Sequence, residues 1–304
     1  MLTLHQLEVF ATVAEQRSVR RAAEQLVVTQ PAVSASLAAL EKAIGVELVT
    51  RAGRGIELTE AGRTLERYAR LILGMVDEAM AATRFSHDAV DAPVRIGASS
   101  AAADHMLMGQ LASLRQHRPS AQFTLEVGNR AKVWQMLVDR SIDLAVTTRP
   151  PAMGSFASVA TRPNELVLVA KPGLVWPGKL GDVTWLLRED GSSTRAATDE
   201  VMTLLGVMPP TIPIGSNAAI LASTEAGLGV ALLSAEAVAD AVQARRLTLV
   251  RTEATPLVKP WHLVVRGGET LPSATRQLLT DLVEIGTGFE WTPTGAAIVR
   301  GSVG

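Results

Sequence analysis

The sequence predicts two domains of different fold class: an N-terminal all-α winged helix-turn-helix with a long linker helix, and a C-terminal α/β domain of two lobes. Apolar residues recur at three- and four-residue steps in the first fifty positions, which indicates short amphipathic helices. A helical pattern without proline then runs from Glu60 to about Ser86. From Val94 onward strands alternate with helices, which is typical of a mostly parallel, doubly wound sheet.

Three N-terminal helices follow from apolar spacing and from capping residues. The three apolar stripes are Leu7, Phe10, Ala11 and Ala14; then Ala22, Ala23 and Leu26; then Ala32, Val33, Leu37, Leu40 and Ile44. Ser18 and Thr29 each precede a stripe, where their hydroxyls accept from free backbone N–H groups. Pro31 suits a first helical turn, and Gly45 ends the third helix.

The polar side of the third helix is the surface that this fold offers to DNA. Its first residues lie at base edges in the major groove, where Gln30 can pair with adenine and Ser34 with several bases. Residues 46–50 and 56–59 are predicted as a wing hairpin, whose turn carries arginines for phosphates. The predicted DNA-binding residues are Arg20, Arg21, Thr29, Gln30, Pro31, Ser34, Ser36, Arg51 and Arg54. The alternative is that the Ser, Thr and Gln residues only cap helices.

Composition limits the function classes. Hydrophobic residues make up 47% of the 304 residues, enough for sizeable cores, and the net charge is −1. Between Arg17 and Arg70 nine Lys or Arg stand against six Glu, so DNA binding would depend on a few arginines and on dimerisation. The absence of cysteine excludes thiolate catalysis and cysteine-held metals. Without a membrane-length apolar run or a signal peptide, we expect a cytoplasmic protein.

The long helix carries a seam of apolar residues at coiled-coil steps: Ala61, Leu65, Tyr68, Ile72, Met75, Ala79 and Met80. We expect this seam to pair two chains, giving a homodimer or, as a dimer of dimers, a homotetramer. The alternative is a helix that packs on its own domain.

Polar clusters follow three strands of the α/β domain, where open parallel sheets bind their ligands. The predicted strands begin at residues 94, 123, 143, 166, 185, 211, 230 and 262. Hydroxyls, backbone N–H groups and guanidinium groups would suit a small anion. The predicted ligand-binding residues are Ser99, Ser100, Thr147, Thr148, Arg149, Ser192, Ser193, Thr194 and Arg195. The alternative is that these residues form caps and turns.

Enzyme chemistry finds no support in the sequence. None of the five histidines stands in a metal-binding spacing, and the segment from Gly97 to Ala101 lacks the final glycine of a nucleophile elbow. We therefore predict no catalysis, no metal site and no cofactor. A stand-alone solute-binding protein is the other class considered, but an export signal would be expected and a helix-turn-helix would not.

The N-terminal motif resembles the LysR family of transcriptional regulators. The matching residues are Leu7, Phe10, Ala22, Ala23, Leu26, residues 30–34, Leu40, Glu41, Gly45, Leu48, Arg51, Leu58, Thr59, Ala61 and Gly62. The sequence departs from the family at Arg17, where glycine is usual, and at Val49, where phenylalanine is usual. We expect Val27 or Val28 to help replace the missing aromatic volume.

Residues 93–265 also resemble the family's effector domain, a periplasmic-binding-protein-like pair of lobes, and most resemble the CbbR group of Calvin-cycle operon regulators. The segments carrying this match are residues 127–130, 143–146, 149–151, 188–195 and 226–230. The resemblance implies a regulator that binds pseudo-palindromic double-stranded DNA and responds to a small anionic metabolite held between the lobes. The alternative is an effector-independent repressor whose C-terminal domain serves only oligomerisation.

We divide the chain accordingly. The DNA-binding domain is predicted at residues 1–59 and the linker or dimerisation helix at 60–88. The effector-binding domain is predicted at 92–290, its first lobe at about 92–163 and 265–290 and its second at about 164–264. Residues 291–304 are predicted as a loose C-terminal tail.

Overall fold

A computed structural model describes residues 2–52, 55–84, 90–148, 150, 156–174 and 179–300. The chain divides into two compact units, one comprising Met1–Ser86 with Val138–Ser141 and the other His87–Leu137 with Ile142–Gly304. No helix among the described residues is long and apolar enough to cross a membrane.

The N-terminal unit has the predicted order of helices followed by a hairpin. Its elements are α1 (Leu4–Gln16), α2 (Val19–Leu26), α3 (Gln30–Ile44), β1 (Val49–Ala52), β2 (Gly55–Leu58) and α4 (Glu60–Arg84). The core includes Leu7, Phe10, Val33 and Leu40, all 1% exposed or less. Each predicted stripe therefore contributes to one hydrophobic core, although Ala32 and Ile44 of the third stripe are exposed.

Two features of this unit differ from the sequence prediction. The wing strands are shifted, because Leu48 is buried before β1 begins and Arg51 lies within β1, opposite Ile56. Val27, expected to fill core volume beside Val49, is instead 89% exposed and has a left-handed φ of 56° at the end of α2. Val28, the other valine considered, is 41% exposed, so neither valine is buried in the core beside Val49.

The second unit contains two lobes, each built on a six-stranded sheet. The first sheet comprises β3 (Val94–Ser99), β4 (Phe123–Gly128), β5 (Leu144–Thr148), β6 (Phe156–Arg162), β13 (Trp261–Arg266) and β14 (Glu290–Trp291). The second comprises β7 (Glu165–Ala170), β8 (Trp185–Leu187), β9 (Thr211–Pro213), β10 (Val230–Ser234), β11 (Thr248–Leu249) and β12 (Leu257–Val258). The chain crosses between the lobes twice, before β7 and before β13.

Helices cover both sheets. They are α5 (Ser100–Ala102), a π-helical turn (Ala103–Leu107), α6 (Met108–His117), α7 (Arg130–Val138), α8 (Ser193–Leu204), α9 (Asn217–Ala226), α10 (Ala235–Gln243), α11 (Ser273–Glu284) and α12 (Gly295–Arg300). Each sheet is mixed rather than mostly parallel. β3 runs parallel to β4 and β5, and β8 parallel to β9 and β10, whereas β13 and β7 pair antiparallel with their neighbours.

The parallel strands position the candidate site. In the first lobe β3 ends at Ser99 and β5 at Thr148, and in the second lobe β8 ends at Leu187 and β9 at Pro213. Arg188, directly after β8, donates to Ser100, directly after β3. The carboxyl edges of the two sheets therefore face each other across the cleft between the lobes.

The C-terminal segment is not the predicted loose tail as far as residue 300. β14 pairs with β6, and Val299 of α12 is 6% exposed and belongs to the core of the first lobe. The second crossover also differs, since β13 begins at Trp261 in the first sheet rather than near residue 265. These apolar segments are too short to show a clear periodicity, so their positions are set by packing against the core of the first lobe.

Candidate functional site

The start of α3 is an exposed polar surface on a buried support. Thr29 caps the helix, its hydroxyl accepting from the Ala32 N–H at 3.4 Å, and Pro31 occupies the first turn. Gln30, Pro31 and Ser34 are exposed. Val33, Leu37 and Leu40 fix the opposite face in the core. The cap and the core together therefore hold the first turn of α3 outward.

Two further parts of the N-terminal unit contribute arginines beside this surface. Arg20 and Arg21 in the first turn of α2 are exposed, and Arg20 contacts Glu24 at 3.8 Å. Arg51 on β1 is exposed, and Arg54 lies outside the described residues. Together these exposed residues form the candidate DNA face: Arg20, Arg21, Thr29, Gln30, Pro31, Ser34 and Arg51.

Ser36, the remaining predicted residue of α3, is less exposed than the residues of that face. It is half-buried, and its hydroxyl oxygen is buried with no hydrogen-bond partner among the described residues. It lies two positions after Ser34, which rotates its side chain toward the interior side of α3. Contact of Ser36 with DNA therefore stays a prediction.

Glu41 is a positioning residue to which the sequence assigned no role beyond the family resemblance. Its carboxylate oxygen accepts from the backbone N–H groups of Leu48 at 2.7 Å and Val49 at 3.3 Å. These bonds tie the first strand of the wing to α3, so they fix where Arg51 lies. The available signal was a glutamate near the end of a helix that precedes a short turn.

The cleft between the lobes of the second unit brings together hydroxyls from two strand ends. Ser99 is 2% exposed and Thr147 is 0% exposed. Ser99 stands at the start of α5 but makes no side-chain cap bond. The hydroxyls of Ser99, Thr147 and Thr148 are buried without hydrogen-bond partners among the described residues. For Ser99 the alternative role as a helix cap is thus not observed, and Arg149 lies outside the described residues.

Arg188 supplies a buried guanidinium to this cleft. It opens the polar cluster predicted after β8, although it was not among the nine predicted ligand-binding residues. It is 3% exposed. Its Nε and Nη2 donate to the Glu189 carboxylate at 2.7 and 2.8 Å, and Nη2 also donates to Ser100 Oγ at 3.1 Å. Nη1 is buried without a partner among the described residues. The sequence signal was its place directly after the wholly apolar strand β8.

Glu189 balances the charge of Arg188. Partial burial raises the pKa of the Glu189 carboxyl, but the hydrogen bonds and charge of Arg188 outweigh that effect and hold the pKa below its ordinary value. The carboxylate therefore stays ionised at neutral pH, and the Arg188–Glu189 pair carries no net charge.

The predicted cluster after β8 divides into structural and cleft-facing residues. Ser192 caps α8, accepting from the N–H groups of Thr194 and Arg195. Arg195 donates to Asp199 at 3.0 Å and from Nη1 to the Arg188 carbonyl at 3.3 Å, so it holds the loop that carries Arg188. Ser193 and Thr194 line the cavity described below. The alternative of caps and turns therefore fits Ser192 and Arg195.

Asn217 is a second buried polar residue beyond a strand end of the second lobe, and it was not among the predicted residues. It lies in the first turn of α9, beyond β9, and is 2% exposed. Both its amide oxygen and its amide nitrogen are buried without partners among the described residues. Since β9 runs parallel to β8, and the Ile214 N–H donates to the Leu187 carbonyl, Asn217 lies at the edge that carries Arg188.

The lobes also meet through hydrogen bonds to backbone carbonyls of the loop after β8. The Ala131 N–H donates to the Gly191 carbonyl at 3.1 Å, and Asn129 Nδ2 donates to the Asp190 carbonyl at 3.4 Å. A cavity of about 460 Å³ lies at the crossover strands, lined by Thr148, Asn164, Thr194, Lys259, Trp261 and His262 among others. This volume is in the range of small-ligand sites.

Both parts of the chain match models of one protein family. Residues 4–63 match the family model "Bacterial regulatory helix-turn-helix protein, lysR family", and residues 87–285 match "LysR substrate binding domain". The HTH-type transcriptional regulator CbbR of Rhodospirillum rubrum is 31% identical over 92% of this chain and 95% of that protein. CfxR of Cupriavidus necator is 32% identical, with coverages of 93% and 92%.

Solved structures share the fold. CbnR complexed with its target DNA has a TM-score of 0.62 at 23% identity, with 93% of this chain and 98% of that chain covered. The regulatory domain of Synechocystis PCC6803 CcmR in complex with 2-PG has a TM-score of 0.59 at 23% identity, with coverages of 64% and 96%. These likenesses show that the helical unit and the two-lobed unit are arrangements already known in solved proteins.

Proposed function

This chain belongs to the LysR family of bacterial transcriptional regulators, and on that premise we propose that it binds a two-fold operator through the candidate DNA face and responds to a small anionic metabolite. It carries the family's helix-turn-helix and its substrate-binding domain. As a DNA-binding regulator it acts in the cytoplasm.

The exposed first turn of α3 is the observation that carries the DNA-binding proposal. Gln30 and Ser34 present side-chain hydrogen-bonding groups that have no partner among the described residues, and Pro31 holds the backbone between them in helical geometry. Gln30 and Ser34 reach base edges in the major groove, whereas Arg20, Arg21 and Arg51 contact phosphates.

The long helix α4 supports a dimeric regulator. Ala69 is fully buried in the core of its own unit, with Leu65 and Leu73 partly buried beside it. Tyr68, Ile72, Met75 and Met80 are 37–56% exposed. One face of α4 thus packs on its own domain, while a second apolar face is left for another copy, and two-fold pairing would match a two-fold operator. Two such dimers would form the tetramer.

The buried polar groups of the interlobe cleft support the effector proposal. Ser99, Thr147, Arg188 and Asn217 all carry polar atoms without partners among the described residues, although each unsatisfied buried group costs about 1–3 kcal/mol. We place the metabolite at these residues together with Ser100, Thr148, Ser193 and Thr194. Arg149, Ser192 and Arg195 remain members of the predicted set.

A nuclease footprint on the DNA upstream of the gene tests the regulator proposal. Arg51→Ala should weaken binding and reduce the slope of log affinity against log salt by about 1, because one phosphate contact is lost. Gln30→Ala should relax base preference at one position of each half-site, at a cost of about 1–3 kcal/mol. Arg251→Ala, which removes an exposed arginine from the second lobe, is the matched control and should leave the footprint unchanged.

The effector proposal needs its own experiment. Adding the low-molecular-weight fraction of a bacterial lysate to the footprint should alter protection, because an effector that prefers one lobe arrangement shifts the equilibrium. Protection that stays unchanged at every dilution would instead support an effector-independent repressor. Lack of any protected site by folded, dimeric protein would contradict the regulator proposal as a whole.

A further inference from the structure

We propose that the effector is a small hydroxylated monocarboxylate, its carboxylate accepting from Arg188 and its hydroxyl donating to Asn217. This inference rests on the proposed function, in which a metabolite binds between the lobes. It names the chemical class of that metabolite and the two residues that recognise it.

The hydrogen-bonding capacity of the buried groups defines the ligand. Arg188 Nη1 can only donate, so it requires an acceptor. Asn217 offers one acceptor oxygen and one donor nitrogen, so it requires a ligand group that both donates and accepts. Among simple metabolite groups, a hydroxyl meets the second requirement and a carboxylate oxygen the first. The hydroxyls of Ser99 and Thr147 can serve either role.

The local charge decides between a carboxylate and a phosphate. Arg188 is already neutralised by Glu189 at 2.7 and 2.8 Å, and Ser99, Thr147 and Asn217 are uncharged. Among these four residues, Nη1 of Arg188 is the charged donor left for the ligand. Arg130 and Lys259 line the cavity at the crossover strands, where Lys259 already donates to Glu200 at 2.7 Å. A phosphate dianion would bring its second negative charge near the Glu189 carboxylate, where like charges repel. A monocarboxylate brings one negative charge instead of two, so its repulsion by Glu189 is weaker.

The position of the groups fits a ligand only a few atoms long. Arg188 and Asn217 follow adjacent parallel strands of the second lobe, and Ser99 and Thr147 belong to adjacent parallel strands of the first. The Arg188–Ser100 hydrogen bond of 3.1 Å already holds the two edges together. A compact hydroxy acid can reach both sides, whereas a long chain would force the edges apart.

Calorimetry on the full-length protein with three matched compounds tests the proposal. D-glycerate should bind, propionate, which lacks the hydroxyls, should bind at least tenfold more weakly, and 3-phosphoglycerate, which adds a phosphate, should also bind more weakly. Tighter binding of 3-phosphoglycerate than of D-glycerate would overturn the monocarboxylate assignment. Equal affinities for D-glycerate and propionate would overturn the role of the hydroxyl.

Variants assign the contacts. Asn217→Leu removes both unpaired amide atoms, so it should leave folding intact while the glycerate-to-propionate preference falls to about one. Arg188→Met should abolish binding of both carboxylates. Ser216→Ala, the matched control, removes only the cap of α9, where Ser216 accepts from the Ala219 N–H at 3.4 Å, and should keep the preference. An unchanged preference in Asn217→Leu would overturn the assignment.

The footprint separates this inference from the function on which it rests. If none of the three compounds binds but the lysate fraction still alters protection, the regulator responds to another chemical class and only this inference fails. If neither the compounds nor the lysate fraction has any effect, the effector proposal itself fails.

Discussion

The two candidate sites of this protein differ in the solvent exposure of their polar groups. On the candidate DNA face, Gln30 and Ser34 are exposed and hydrogen-bond to water until DNA replaces it. In the interlobe cleft, Arg188 and Asn217 are at most 3% exposed and have polar atoms that bulk water does not reach. Substitutions on the exposed face should therefore change affinity alone, whereas those in the buried cleft change affinity and stability together.

The largest expected effects come from replacing two tightly packed glycines, Gly62 in the N-terminal unit and Gly229 in the second lobe. A Cβ at Gly62 would lie 2.0 Å from the Leu48 carbonyl oxygen, and one at Gly229 would lie 2.2 Å from that of Thr184. Because a backbone carbonyl cannot move aside cheaply, Gly62→Ala and Gly229→Ala should each cost about 2 kcal/mol or more. Gly62→Ala should impair DNA binding, and Gly229→Ala should impair the metabolite response.

Three measurements on each variant test this prediction: calorimetric unfolding for stability, a footprint for DNA binding and a ligand titration for the metabolite response. Gly109→Ala is the control, since nothing lies within 4 Å of a Cβ there and alanine should stabilise α6 by about 0.5–1 kcal/mol. Equal loss of both activities in each glycine variant would show that the two regions are not independently stabilised.

Removing the Glu41 carboxylate should lower the free energy of unfolding by less. It should displace the wing and so disrupt the candidate DNA face, although none of the exposed residues of that face is replaced. Glu41→Ala leaves the N–H groups of Leu48 and Val49 without their acceptor, at about 1–3 kcal/mol. DNA affinity should fall, and adding Arg51→Ala should weaken binding by less than the sum of the two single effects, because the wing is already displaced. Lys42→Ala, at the exposed neighbouring position, is the control; additive effects would contradict the positioning role.

Val27→Asn should stabilise the N-terminal unit. A β-branched residue at a φ of 56° is strained, whereas asparagine tolerates the left-handed region. Since Val27 is 89% exposed, no packing is lost, and the gain should be about 0.5–1 kcal/mol in chemical denaturation. Val28→Asn should bring no gain. Destabilisation by Val27→Asn would show that the valine makes a contact that outweighs the strain.

The smallest effect should be a change in the pH dependence of the second unit. Burial lowers the pKa of His105, although Asp104 and Glu236 raise it in part. The unfolded chain therefore binds a proton near pH 6.5 that the folded chain resists, so stability should fall as the pH drops below about 6.5. His105→Gln should flatten this fall in thermal unfolding between pH 5.5 and 7.5. The exposed His117→Gln should not, and an unchanged slope in His105→Gln would contradict the burial argument.

The N-terminal site could be predicted in most of its parts because it is local. The caps at Ser18 and Thr29, the apolar stripe of α3 and the polar turn at Gln30 are set by the 3.6-residue period, which is visible in the sequence. Ser36 stays a prediction, because its half-buried side chain lies near the boundary between the buried and the exposed face of α3. The wing was shifted because a four-residue strand has too little pattern to fix its register.

Much less of the cleft was visible. Ser99 and Thr147 were predicted because they follow apolar strands, but the same signal also selected Ser192, whose hydroxyl caps α8. Asn217 was missed because its significance depends on β9 lying beside β8. The sheet pairings of β6 and β14 also join segments far apart in the chain.

The sequence by itself determined the helix-turn-helix, the long helix, most strands of the two lobes and the family to which the chain belongs, because each follows from spacing or motifs over a few dozen residues. Only the tertiary structure decided which polar groups lose water and which of them find partners. That property depends on distant strands meeting at one edge, as Arg188 and Asn217 do opposite Ser99. Burial without a partner has no local period, so no pattern along the chain can reveal it.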